Sequence, residues 1–115
     1  RRSFQDQLDE IRAEVVKLAV DVSEQIGAAT QALLDADLAL VDEIFEARER
    51  IRTRGHQLEQ RVYQLFALQQ PMASDLRAML AVLRIVHEIE LTAGLMRNVA
   101  RNIRTREERA SQRAE

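Results

Sequence analysis

The sequence predicts an all-α fold, an elongated antiparallel up-down-up bundle of three helices, and three observations predict it. Apolar residues recur at alternating steps of three and four along most of the chain, the spacing that keeps one face of a helix toward a partner. Only 3 Gly and 1 Pro occur in 115 residues, whereas an all-β domain needs a turn every ~8–12 residues. The periodicity breaks only near residues 35–37 and at Pro71, and such short connections make neighbouring helices antiparallel. The expected helices are 4–34, 37–69 and 72–106. Residues 1–107 then form one bundle, and 108–115 are a frayed basic tail or the start of a linker. At ~1.5 Å rise per residue each rod is ~45–50 Å long.

In the first helix the stripe is Phe4, Leu8, Ile11, Val15, Leu18, Val22, Ile26, Ala29 and Leu33. Ser3 is placed to cap it, and Asp6 lies in the first turn, where negative charge offsets the helix dipole. Asp35 or Asp37 caps the second helix. There Ile44, Ile51, Leu58 and Leu65 recur every seven residues, while the alternate stripe reads Val41, Arg48, Gly55 and Val62. Arg48 and Gly55 are not core material. A helical glycine costs up to ~1 kcal/mol relative to alanine, so Gly55 marks a close approach or a bend. Pro71 stops this helix and suits the first turn of the next. The third helix carries Met79, Val82, Val86, Ile89, Ala93, Met96, Ala100 and Ile103. Beside that stripe runs a second one, Leu76, Leu80, Leu83, His87, Glu90, Gly94, Arg97 and Arg101, apolar in its first half and polar in its second. The change at His87–Glu90 marks the expected start of an exposed surface.

Composition removes several function classes. With 46% apolar and 31% charged residues the chain has material for a core, so wholesale disorder is not expected. No run reaches the ~18–20 apolar residues of a membrane span, and no segment reads as a secretion signal. No cysteine is present, so disulfides, zinc–thiolate sites and cysteine nucleophiles are absent. A cytoplasmic domain without membrane insertion is the expectation. Charge is unevenly spread. Residues 1–46 hold 4 basic and 11 acidic side chains, 47–96 hold 7 and 5, and 97–115 hold 6 and 3. The basic end (Arg97, Arg101, Arg104, Arg106, Arg109, Arg113) is interrupted by Glu107 and Glu108 and has no aromatic stacking platform. It therefore reads as a solvated helix end, without nucleic acid as a partner.

Catalytic candidates are few. His56 and His87 are the only histidines, and neither stands in a metal-protease pattern. A di-iron bundle wants Glu-x-x-His, but Arg84 stands three before His87 and Thr53 three before His56. No serine has a histidine or acid pattern around it that suggests a nucleophile. The chain does not read as an enzyme.

Residues 65–102 carry a more specific signal. Pro71, Ala73, Asp75, Leu76 and Arg77 form a Pro-x-Ala-x-Asp-Leu-Arg sequence at the start of the third helix. Glu88-Ile89-Glu90 and Asn98-Val99-Ala100 follow along that helix, and Ala32-Leu33-Leu34-Asp35-Ala36-Asp37-Leu38-Ala39 bridges the first two. In these passages the chain resembles the PhoU family of phosphate-signalling proteins over residues 4–105. It corresponds to one three-helix repeat of a family that usually carries two, and is most like the N-terminal repeat.

That resemblance implies a non-enzymatic regulator of phosphate uptake and of phosphate-responsive two-component signalling. Its implied partners are a phosphate ABC transporter ATPase and a membrane sensor histidine kinase, together with a second repeat in a longer chain or a second copy as a homodimer. The partner-binding candidates are Asp75, Arg77 and Arg97, with Glu88 and Glu90 on the same helix. The family's metal ligands come from Glu/Asp-x-x-x-Asp sequences. Here Glu90 matches the first acid but Gly94 replaces the second, and Arg48 and Arg52 stand where the family tends to place aspartates. Metal clusters need several carboxylates to offset their charge, so no cofactor is expected. A single divalent or iron ion on Glu88 or Glu90, with ligands from a partner chain, is the metal-binding alternative. A generic helical scaffold or dimerisation module is the other. In place of metal ligation, Arg48 and Arg97 are expected to pair with Glu90 or to hold an anion.

Overall fold

The computed structural model describes residues 3–68 and 71–114. It contains α1 (Phe4–Asp35), α2 (Leu38–Leu68) and α3 (Ala73–Ala114), with all three helix pairs in contact. The bundle measures 65 × 22 × 18 Å. Cross-helix contacts fix the directions. Arg61 meets Glu10 while Arg50 meets Asp21, and Asp42 meets Arg104 while Gly55 meets Glu90. Each consecutive pair is therefore antiparallel, and the architecture is the all-α three-helix bundle that the periodicity predicts.

Local chemistry places the ends. Ser3 Oγ accepts from the Asp6 amide at 3.0 Å, satisfying one of the free donors of the first turn. α1 closes at Ala36, which takes the left-handed conformation (φ 52°, ψ 41°) and returns its N–H to the Ala32 carbonyl. Glycine is the usual residue there, and alanine in this conformation costs ~1–2 kcal/mol. Of the two candidate caps for α2, Asp37 does the work: its carboxylate accepts from the Ala39 and Leu40 amides at 3.0 and 3.3 Å. The end expected for that helix at residue 69 lies outside the described residues. Beyond Pro71, the Leu76 amide bonds to the Met72 carbonyl at 2.9 Å and α3 begins. α3 then runs to Ala114 rather than stopping near Arg106, so 108–114 is helix, not a frayed tail. Neither Gly nor Pro follows Arg106 to stop it, and Glu, Arg, Ala and Gln are good helix formers. Residues 1, 2 and 115, at the limits of the predicted bundle and tail, are outside the described residues.

The core is a seam of heptads that the sequence pattern matches with two exceptions. In α1 the buried residues are Leu8, Ile11, Val15, Leu18, Val22, Ala29 and Ala32, with Asp21 beside them. Ile26 and Leu33, expected on the stripe, are exposed. The strict three–four alternation passes instead through Gln25, which is half-buried and whose Oε1 has no hydrogen-bond partner. A polar residue occupying a core slot made the neighbouring isoleucine look like the inward one. Ala32, one residue earlier, takes the buried place expected for Leu33.

Buried residues fall into two clusters. The larger holds Leu8–Val22 of α1, Ile51–Leu65 of α2 and Met79–Ala93 of α3. The smaller holds Ala29 and Ala32, Val41 and Ile44, Ala100 and Ile103 at the α1–α2 turn. On each helix a polar side chain falls in the gap between them: Gln25, Arg48 and Arg97. Two ion pairs tie the helices together around this gap. Asp21, 8% exposed, takes a bidentate grip from Arg50 at 2.8 and 2.9 Å, with Arg54 at 4.0 Å. Arg104 pairs with Asp42 and lies 4.7 Å over the Phe45 ring, so part of the basic end is absorbed by packing.

Candidate functional site

A group of charged side chains with few ion pairs lies between α2 and α3. Arg48 and Arg52 are four apart and share one face of α2. His87, Glu90, Gly94 and Arg97 follow the second stripe of α3. Where these faces meet, Arg48, Arg52, His87, Glu90, Leu91 and Ala93 line a cleft of about 290 Å³. It shares Arg48, Glu90 and Leu91 with an adjoining groove of about 400 Å³ that takes in Gly94, Leu95, Arg97 and Asn98.

Glycine explains how a glutamate fits into this seam. A Cβ on Gly55 would stand 3.0 Å from Glu90 Cδ and 3.1 Å from its Oε1. Gly55 therefore marks a close approach, made by a carboxyl group rather than by a backbone. Gly94 differs: nothing lies within 4 Å of where its Cβ would be, so its bare backbone widens the groove. Glu90 Oε1 faces His56 Nε2 at 3.4 Å. Burial pushes the Glu90 carboxyl above the usual range, and the Glu59 carboxylate adds to that by repulsion and by hydrogen bonding. His56 and His87 pull it back down.

The predicted site residues divide between two places. Glu90 and Arg97 share the groove, but Arg97 does not pair with Glu90, and neither does Arg48, which bonds its neighbour Glu49 at 3.1 Å. The expected Arg–Glu90 pairing is replaced by His56, because α2 presents residue 56 beside the glycine that admits the carboxyl. Glu88 is exposed and lies two residues from Glu90, on another side of α3, so the two carboxylates do not converge. Among the described residues no three His, Asp or Glu side chains are grouped to hold a metal ion. Asp75 and Arg77 sit at the other end, ~20 Å from Glu90 along the helix axis. Asp75 is half-buried in the first turn of α3, and Arg77 is exposed without an ion pair among the described residues.

Sequence reasoning missed two features. His56 and Glu59 complete the surroundings of Glu90, and the available signal was their placement beside Gly55 on α2. Near Asp75 and Arg77 lies a wholly apolar groove of about 230 Å³, lined by Val62, Tyr63, Phe66, Leu76, Met79, Leu80 and Leu83. Tyr63, Phe66 and Leu80 are each more than half exposed. Leu80 and Leu83 on the second stripe, opposite two aromatics, were the legible part of it.

Comparison with known proteins follows the same outline. A family model described as the PhoU domain matches residues 6–103. The phosphate-specific transport system accessory protein PhoU homolog 1 of Mycobacterium leprae is 34% identical over 106 residues, covering 92% of this chain and 48% of its own length. Homolog 2 of Mycobacterium tuberculosis is 33% identical over 106 residues, with 92% and 50% covered. The Aquifex aeolicus PhoU homolog is 33% identical over 94 residues, with 82% and 42% covered. The chain thus spans about half the length of the curated relatives it matches. No solved structure matches it.

Proposed function

The chain belongs to the PhoU family, and from that premise we propose that it regulates phosphate uptake and phosphate-responsive two-component signalling without catalysing a reaction. The observation that carries this reading is likeness to phosphate-specific transport accessory proteins over 92% of the chain. Its partners in this reading are a phosphate ABC transporter ATPase and the cytoplasmic domain of a sensor histidine kinase, met on the cytoplasmic side. No helix among the described residues is long and apolar enough to cross a membrane, which is compatible with such a place.

The mechanism is docking on helix faces. The apolar groove around Tyr63, Phe66 and Leu80, with Arg77 exposed on the same end of α3, offers the mix of apolar anchor and charged rim that protein interfaces use. Exposed Leu91 and Leu95 farther along α3 leave surface for a second repeat in a longer chain or a second copy of this one. Binding of the purified chain to the transporter ATPase and to the kinase domain, measured by calorimetry, tests the reading. F66A should weaken the contact by ~10-fold or more, the usual effect of truncating an interface anchor. Absence of binding to both partners overturns it.

The proposed regulator works without a resident cofactor. Elemental analysis of protein purified without chelator checks this. Iron or zinc near one ion per chain would replace the reading with a metal-binding bundle.

A further inference from the structure

We propose that the α2–α3 cleft binds a small phosphate-type oxyanion, either inorganic phosphate or the phosphate of a monoester. The inference begins with how the chain spends its arginines. Where an arginine of α2 or α3 reaches across to another helix elsewhere in the bundle, a carboxylate receives it: Arg50 has Asp21, Arg61 has Glu10 and Arg104 has Asp42. The cleft is the exception. Arg48 and Arg52 of α2 and His87 of α3 line it, Arg97 of α3 joins Arg48 in the adjoining groove, and Glu90 is the one acid in either lining. Arg52 and Arg97 have no ion pair among the described residues. Arg48 bonds only Glu49, its neighbour in sequence, whose side chain is 66% exposed, and such surface pairs contribute little.

Glu90 is not paired with any of these arginines, since its carboxyl is turned toward α2. Its carboxyl is packed against Gly55, 3.4 Å from His56. Burial and the nearby Glu59 also raise its pKa, so it carries its negative charge less readily than an ordinary glutamate. Arg48 from α2 and Arg97 from α3 line the same groove with no carboxylate received across the seam, and like charges in one groove repel. An anion between them turns the repulsion into attraction.

The location strengthens that attraction. Arg48 and Arg97 occupy the gap between the two core clusters, and the Arg48 side chain is only 25% exposed. Charge-assisted hydrogen bonds gain strength where water is partly excluded. The planar fork of arginine matches the oxygens of a phosphate group, which can accept from both sides of the cleft. Asn98 adds an amide donor at the far end of the adjoining groove. Leu91 and Leu95 provide an apolar wall with no aromatic ring to stack a base, which favours a small anion over a nucleic-acid strand.

Titration of the 115-residue chain with inorganic phosphate, and separately with glycerol 3-phosphate, tests the proposal by calorimetry and by amide chemical shifts. Saturable binding of either ligand is expected, with the largest shifts at Gly94 and Asn98. The tighter of the two identifies the source of the phosphate group. R48Q and R97Q should each weaken binding ~10-fold or more, the ordinary effect of losing a charge-assisted hydrogen bond. R84Q, at an exposed arginine of α3 outside the cleft, should leave it unchanged. Circular dichroism of each variant separates lost binding from lost folding. No saturable binding of either ligand, or equal weakening by R48Q, R97Q and R84Q, overturns the proposal. It is independent of the docking reading: a chain that binds the transporter ATPase but not phosphate rejects this site alone, and the converse result rejects the docking alone.

Discussion

Two carboxyl groups enter the seams of this bundle, and they are treated in opposite ways. Asp21, between α1 and α2, meets Arg50 in two hydrogen bonds, and that guanidinium holds its carboxyl below the ordinary aspartate range against the opposing effect of burial. Glu90, between α2 and α3, meets a histidine at 3.4 Å and another carboxyl, and its pKa is raised. Three arginines stand close by Glu90's cleft, yet none pairs with it. A charge locked by a bidentate partner belongs to the scaffold. A charge left among mismatched neighbours, beside unpaired cations, marks the seam that is open to something from outside.

The sharpest way to test that contrast is to remove the locked group. D21A should lower stability by about 2 kcal/mol, because it deletes charge-assisted hydrogen bonds at a buried position. Arg50 is nearly half exposed and can return to water, which keeps the loss from being larger. Urea unfolding measures it, as a lower midpoint with an unchanged slope. A loss no greater than that of an exposed ion pair such as Lys17–Glu14 would erase the distinction between the two seams.

How far the sequence anticipated this arrangement depends on the range of the interaction concerned. The bundle, the Ser3 cap and most of the core were legible, since each follows from residues within a turn or two of each other. Ile26 was misread because polarity was taken as the guide to the inward face, whereas the heptad runs through Gln25. Asp21 and Arg50 lie 29 residues apart, and their meeting depends on how two helices are rotated, which no local pattern encodes. The cleft was half legible. Arg48, Glu90 and Arg97 stood out as polar interruptions of apolar stripes, but the role of Gly55 in seating Glu90, and hence the partnership with His56, needed the helices side by side.

The two glycines sharpen the comparison further. G94A should stabilise the chain by ~0.5–1 kcal/mol, since alanine is the better helix former and nothing lies within reach of the new methyl group. G55A gains the same propensity but places a methyl 3.0 Å from Glu90 Cδ. The flexible end of Glu90 must move aside, so the net gain should fall short of that in G94A. Thermal melts of the two variants, run together, read the difference. Equal stabilisation would mean that Glu90 does not depend on Gly55 for its place.

The smallest effect, and the one most specific to the contrast, is in the pH dependence of stability. The pKa of Asp21 is lowered on folding, so its contribution is complete above the ordinary aspartate pKa and is lost as the pH falls through the lowered value. Glu90 has the opposite sign. Its carboxyl is raised on folding, so stability declines as the pH rises from the ordinary glutamate value through the raised one, and the cost is complete above it. Burial sets most of this cost and Glu59 on α2 adds to it, while His56 on α2 and His87 on α3 reduce it. E90Q keeps the shape and removes the ionisation. Relative to the parent it should melt higher at neutral pH, and that advantage should shrink as the pH falls to the ordinary glutamate range and below. D21N should show the reverse, with its deficit greatest at neutral pH and smallest in acid. Parallel curves for both variants against the parent would mean that the two carboxyls are equivalent, and the open seam would lose its electrostatic basis.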